Sequence, residues 1–272
     1  MVKKLFKHEF KAMFRYMLPV ECIIIGLCIF ARIVLIFESN NIVYDITEFS
    51  IKMLLFFTAV AGNFAVLIFA VIRYYKNLFT LEGYLSFTLP VTPAQHIMVK
   101  VVTAVAFDVI ALVTTVIGLC IAMSGNLLVE VCNLLIYIIR KTVEEFGAIH
   151  LVLYALEIIL LLILASFSKF LLYYGFITIG QMANRKKLLL AFGAYGVYTF
   201  LSGVFSTILN IFGNLFFITQ NSIGIRIIEF MNDYPRLSVH IILLFSILVL
   251  LISSLIWFGV SNLIIHKKLN LE

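Results

Sequence analysis

Charge is the scarcest commodity in this chain. Only 12% of its 272 residues are Asp, Glu, Lys or Arg, whereas soluble domains carry about 25%. Hydrophobic residues make up 63%, and the mean hydropathy is +1.13. Too few polar residues remain to cover a water-soluble core, so soluble enzymes, nucleic-acid-binding modules and disordered proteins are excluded. The chain also lacks the strict alternation of a membrane β-barrel; its apolar runs are long and rich in Ile, Leu, Val and Phe. No Gly-Lys dipeptide occurs among the 14 glycines, so no phosphate-binding loop is present. The four cysteines, Cys22, Cys28, Cys120 and Cys132, form no CxxC pair and read as small apolar residues. The five histidines, His8, His96, His150, His240 and His266, show no metal-ligand spacing, and neither a zinc-protease helix nor a serine elbow appears.

What is present is apolar sequence in lengths that cross a bilayer. A spanning helix needs about 20 residues, and six fit: 18–37, 51–72, 101–123, 147–169, 188–217 and 239–265. The expected fold is therefore an all-α integral membrane protein in a single transmembrane domain, 1–272. The apolar run that begins at Gly147 continues to Gly180, so the fourth span either projects past Lys169 or sits later with Glu157 near a boundary. An acidic loop is expected at 38–50, and an amphipathic surface helix at 126–146.

Residues 1–17 read as a separate amphipathic helix. Val2, Phe6, Phe10, Met13 and Met17 recur on one face, and Lys4, Lys7, Lys11 and Arg15 on another, which suits a helix lying on anionic lipid. The long basic region and the missing Ala-x-Ala argue against a cleaved signal peptide. With the N-terminus inside, 14 of the 20 basic residues fall on cytoplasmic segments, which places both termini in the cytoplasm. The net charge of +6 then reflects this bias rather than nucleic-acid binding.

Residues 73–100 carry most of the information. Thr92-Pro93-Ala94-Gln95 is a helix start, with Thr92 as cap, Pro93 at the first helical position and Gln95 able to return a bond. Leu89-Pro90 favours an extended link before it, and Gly83 can end a helical turn. The expected course is span two running on into the cytoplasm, a short aromatic helix, a turn, and a new helix leading into span three. Tyr74, Tyr75, Phe79, Tyr84 and Phe87 fit either an interfacial aromatic belt or a knob that docks into a soluble partner.

The run Tyr75-Lys-Asn-Leu-Phe-Thr-x-Glu-Gly-Tyr-Leu-x-Phe-Thr-Leu-Pro-Val, closed by Lys100, resembles the cytoplasmic loop of ABC type-2 transporter permeases of Gram-positive bacteria. Leu81 stands where that family often has an acidic residue. Ile179-Gly180-Gln181 followed by basic residues is similar too, and the six-span layout agrees along the whole chain. The resemblance implies a permease subunit of the bacterial cytoplasmic membrane. Its segment 73–100 would be a coupling helix seated in a separate ABC ATPase, with Tyr75, Phe79, Glu82, Gly83, Tyr84, Phe87 and Pro90 at the contact. It further implies a second permease copy or paralogue, a membrane-lying connecting helix at 1–17, and export; the 26 Phe and 12 Tyr suit an amphipathic or hydrophobic cargo such as a peptide, drug or lipid. The chain would be no enzyme and hold no cofactor, ATP and Mg being bound by the partner.

On span five, Ser202, Ser206, Asn210 and Asn214 recur every four residues, and span two supplies Thr58, Gly62 and Asn63. Such a polar face points at another helix or at a wet cavity; the resemblance implies a substrate path along spans two and five. Glu21, Asp108 and Glu157 lie near or within spans and fit either anchoring or substrate or proton coupling. Two other readings stay open: a membrane-embedded immunity or sensor protein that binds a peptide without moving it, and an ATP-independent secondary transporter, which predicts broken helices, inverted repeats and buried charge pairs, none of them visible in the sequence.

Overall fold

The computed structural model describes residues 2–37, 41–80, 82–83, 88, 90–123, 125–183, 185–218 and 222–268. Among these residues the chain is all-helical: α1 (Val2–Ile36), α2 (Ile42–Phe79), α3 (Pro93–Ala122), α4 (Gly125–Phe146), α5 (Ala148–Gly180), α6 (Lys187–Ile218), α7 (Ser222–Asp233) and α8 (Pro235–Lys268). Six of them, α1, α2, α3, α5, α6 and α8, are long and apolar enough to cross a membrane.

Several helices exceed the expected spans. The surface helix at 1–17 and the first span belong to one continuous helix of 35 residues, with Pro19 inside it. At 1.5 Å per residue it measures about 52 Å, longer than the ~30 Å hydrocarbon layer requires of a single crossing. The 38 residues of α2 likewise begin at Ile42, taking in most of the stretch read as a loop, and end at Phe79. Local bonds hold that early part: the Thr47 and Ser50 hydroxyls donate to the carbonyls of Val43 and Ile46, and Lys52 pairs with Glu48 one turn away. The long apolar run after Gly147 is one helix through Gly180. Gly147, at φ +91°, lets the backbone turn between α4 and α5 where a side chain would be strained.

The chain divides into two compact units, residues 1–141 and 142–270. In the first, α1, α2 and α3 each pack against the other two. The reason lies in four-residue spacing, which keeps side chains on one face of a helix. On α1 the buried stripe is Glu9, Met13, Met17, Ile24, Cys28 and Ala31; on α2 it is Gly62, Val66, Ala70, Tyr74 and Leu78. Apolar burial drives little association within lipid, so close packing of small residues matters more. A Cβ on Gly118 of α3 would lie 2.8 Å from the sulfur of Cys28, and one on Gly62 would strike Ile24.

In the second unit, α5 packs along α8 and against α6. Trp257 of α8 lies on Gly175 of α5, where a Cβ would overlap its ring. Ser168 of α5 donates to Ser253 of α8 at 3.1 Å. Near the start of α6, Tyr195 meets Tyr173 of α5, hydroxyl to hydroxyl at 3.3 Å. Between 192 and 214 no residue of α6 is buried.

Candidate functional site

The segment between α2 and α3 is bounded by two well-built helix ends. At its far side, Thr92 accepts the Gln95 amide at 3.3 Å, and the Gln95 side chain accepts the Thr92 amide at 3.1 Å, with Pro93 in the first turn. This reciprocal box satisfies two of the amide groups that a helix start leaves free. At its near side, Tyr74 is fully buried and meets Phe79 edge-on at 5.6 Å, with Tyr75 6.4 Å from the same ring. The Gly83 amide donates to the Thr80 carbonyl at 2.7 Å, closing a turn. Tyr75 and Phe79 are half-buried, Gly83 is buried, and Glu82 and Pro90 are exposed. Tyr84 and Phe87 lie outside the described residues.

Both ends of the segment converge on one carboxylate of α1. Glu9 is only 6% exposed. Its Oε2 accepts from the Nε and Nη2 of Arg73, at 3.1 and 2.7 Å, and its Oε1 accepts from the Nζ of Lys100 at 2.7 Å and the Nδ2 of Asn77 at 3.1 Å. Arg73 and Asn77 belong to the last turns of α2, and Lys100 to the second turn of α3. One acid therefore fastens three helices together. Burial works to raise the Glu9 carboxyl, but Lys100 and Arg73 overcome it and hold the group down at about 2. Burial pushes the Lys100 ammonium down, with Glu9 pulling the other way. One carboxylate against two cations leaves an excess positive charge, and Glu82 acts on Lys100 from within the segment.

The sequence gives Glu9 no role; it is the one acid among Lys3, Lys4, Lys7, Lys11 and Arg15, all of them exposed. A signal was available: Glu9 precedes Met13 and Met17 by four and eight residues, on the stripe that α1 buries. The packed face is thus rotated from the one expected, with Val2 exposed and Phe6 and Phe10 half-buried. Phe10 instead reaches Phe107 of α3, ring centroids 4.9 Å apart.

The polar positions on α2 and α6 are placed differently from one another. Thr58 and Asn63 are half-buried, and the Asn63 amide donates to the carbonyl of Ala59 in its own helix. Gly62 faces α1 as a packing residue. On α6, Ser202, Ser206, Asn210 and Asn214 are all exposed. Ser202 donates to the Thr199 carbonyl, and the Asn210 amide places one of its two hydrogens on the Ser206 carbonyl, each on the preceding turn.

The three acids of the spans also differ. Glu21 of α1 lies against Thr114 of α3. Asp108 of α3 is buried. Glu157 of α5 accepts from His240 of α8 at 2.8 Å. Among the described residues, no group of three or more His, Cys, Asp or Glu is placed to hold a metal ion. Comparison with protein-family models, with curated proteins and with solved structures finds no match to this chain.

Proposed function

We propose that the chain is the permease subunit of an ATP-binding cassette transporter of the bacterial cytoplasmic membrane. It exports an amphipathic or hydrophobic substrate by alternating access, and a separate ATPase that binds ATP and Mg supplies the energy. The observation that carries this reading is the clamping of segment 73–100 at both ends onto Glu9. A force applied to that segment reaches α1, α2 and α3 together, because each contributes a side chain to the same buried cluster. A loop with free ends would instead absorb the force locally. The aromatic run ending in Pro90 is the part that docks on the ATPase, as the family resemblance implies.

In this reading the basic first turns of α1 rest on anionic lipid as a connecting helix, and both termini are cytoplasmic. The exposed polar face of α6 belongs to a path or an interface completed by a second permease copy or paralogue. The chain performs no catalysis of its own.

Alanine at both Tyr84 and Phe87 tests the reading. The double variant should insert in the membrane at wild-type level yet lose the ATPase on copurification, or lose substrate-stimulated ATP hydrolysis. Unchanged copurification together with unchanged stimulation would overturn it. An ATPase gene found beside this one would identify the protein to use in the assay.

A further inference from the structure

Near the start of α5 and α8, three side chains form a line. His150 Nδ1 lies 3.1 Å from His240 Nε2, and His240 Nδ1 lies 2.8 Å from Glu157 Oε1. His150 and Glu157 are on α5, two turns apart, and His240 reaches between them from α8. His240 and Glu157 are mostly buried, their side chains 14% and 18% exposed. Tyr154 covers the line, its ring centroid 4.5 Å from that of His240. Its hydroxyl is committed elsewhere, donating to the Arg236 carbonyl at 3.0 Å.

The geometry excludes two common uses of such residues. A metal needs donors that converge on a point, but the two nitrogens of His240 face opposite ways, one to each neighbour. An acyl-transfer triad needs a nucleophile at the end of the line, and a second imidazole stands there instead. What the line can do is hold and pass a proton. With Glu157 ionised, His240 donates Nδ1–H to it and accepts the Nδ1–H of His150 on Nε2. A proton arriving at Nε2 of His150 lets that Nδ1 proton move to Nε2 of His240. His240 becomes an imidazolium donating to both neighbours, His150 is left neutral with its proton on Nε2, and the net charge of the line goes from −1 to 0.

The second oxygen of Glu157 is buried and has no hydrogen-bond partner among the described residues. The charged neighbour on α8 is Arg236, whose Nη2 donates to the Glu145 carbonyl at the end of α4. Arg226, Glu229 and Asp233 of α7 make no hydrogen bond to the line among the described residues. The one charged residue of α6 is Lys187, at its first position. We propose that Glu157, His240 and His150 form a binding site for a single proton, filled from the aqueous phase at the N-terminal ends of α5 and α8. Occupancy fastens those two helices through a doubly donating imidazolium. This site is built from helices of the second unit, other than those that hold Glu9, and does not depend on the identity of the energy source.

The test is histidine ring nitrogen NMR on the full-length protein, 15N-labelled at histidine, in detergent micelles. Substitutions H150Q and H240Q assign the two resonance pairs, and His8, His96 and His266 serve as internal references. The ring shifts should show His240 pass from the Nδ1–H tautomer to an imidazolium as pH is lowered across the range in which the protein stays folded. E157Q should weaken proton binding at His240 about tenfold or more, since it removes a carboxylate in direct contact. Wild-type protein in which His240 keeps one tautomer throughout that range overturns the proposal, and this result needs no variant to fold. So does an E157Q protein whose His240 titrates as the wild type does.

Discussion

Replacing Glu9 by Gln keeps the size of the side chain and deletes its charge, leaving Arg73 and Lys100 in a buried site with no anion between them. The magnitude follows from the carboxyl itself. Lowering its proton affinity from an ordinary 4.5 to about 2 is worth about 3 kcal/mol of stability, at roughly 1.4 kcal/mol per pH unit. Breaking buried ion pairs by removing one partner costs about 3–5 kcal/mol, which agrees. For a chain of this size that is a fall of roughly 6–12 °C in the melting midpoint. The assay is thermal denaturation of the detergent-solubilised protein, read as loss of the monodisperse peak of a fluorescent fusion. Adding K100M to E9Q should recover part of the loss, because one of the two stranded cations is gone. The pH dependence has a definite sign. A carboxyl held below its unfolded value stabilises fully above about pH 4.5, and this contribution disappears as pH falls toward 2. The gap between wild type and E9Q should therefore be level from neutral pH down to about 5 and close below that. An E9Q protein that melts with the wild type, or a double variant worse than either single one, would refute the clamp.

The remaining expectations concern the bounds of the same segment and the second unit. T92A removes the cap of α3 and should cost about 1 kcal/mol, seen as roughly fivefold faster hydrogen exchange of the Gln95 amide. G180A should lower the melting midpoint more than an exposed alanine substitution such as G196A: its Cβ would lie 2.6 Å from the Lys187 carbonyl oxygen and 2.7 Å from Ala191, while nothing lies within 4 Å at Gly196. In a background lacking the native cysteines, of which Cys22, Cys120 and Cys132 are exposed, a cysteine at Asn210 should react with a membrane-impermeant thiol reagent at a rate that changes with the nucleotide state of the ATPase. Absence of reaction at 206, 210 and 214 in every state would make the face a packing surface.

Most of the architecture was legible because apolar length and four-residue spacing are local properties. The capping box at Thr92 and Gln95 could be read from four consecutive residues, and the structure contains both of its bonds. Helix ends were less legible. Residues 42–50 look polar enough for a loop, yet side-chain bonds to preceding carbonyls and the Glu48–Lys52 pair carry α2 through them. The Glu9 cluster was invisible for a different reason. Arg73 and Lys100 lie 64 and 91 residues from Glu9 along the chain, and in a sequence both look like basic residues that mark a cytoplasmic segment. A basic residue at a span end serves orientation equally well whether it is solvated or sealed against a carboxylate. The histidine line escaped in the same way, since His240 joins it only once α5 and α8 lie side by side.

Four-residue spacing of Ser202, Ser206, Asn210 and Asn214 predicts one polar stripe, and the structure leaves that stripe exposed. Internal hydrogen bonds make it tolerable: Asn210 donates to the Ser206 carbonyl and Thr207 to that of Gly203, so part of the polar hydrogen content is already spent within the helix. The amide oxygens of Asn210 and Asn214 retain acceptor capacity that hydrocarbon cannot satisfy. Both the packed stripes of α1 and α2 and this stripe use the same spacing, but the former are closed by neighbours within their own unit. A face of this chemistry in a spanning helix is stable only beside water or another polar surface. For that reason the cysteine experiment at position 210 discriminates between a wet path and a protein interface, while lipid exposure of the face is the arrangement the chemistry disfavours.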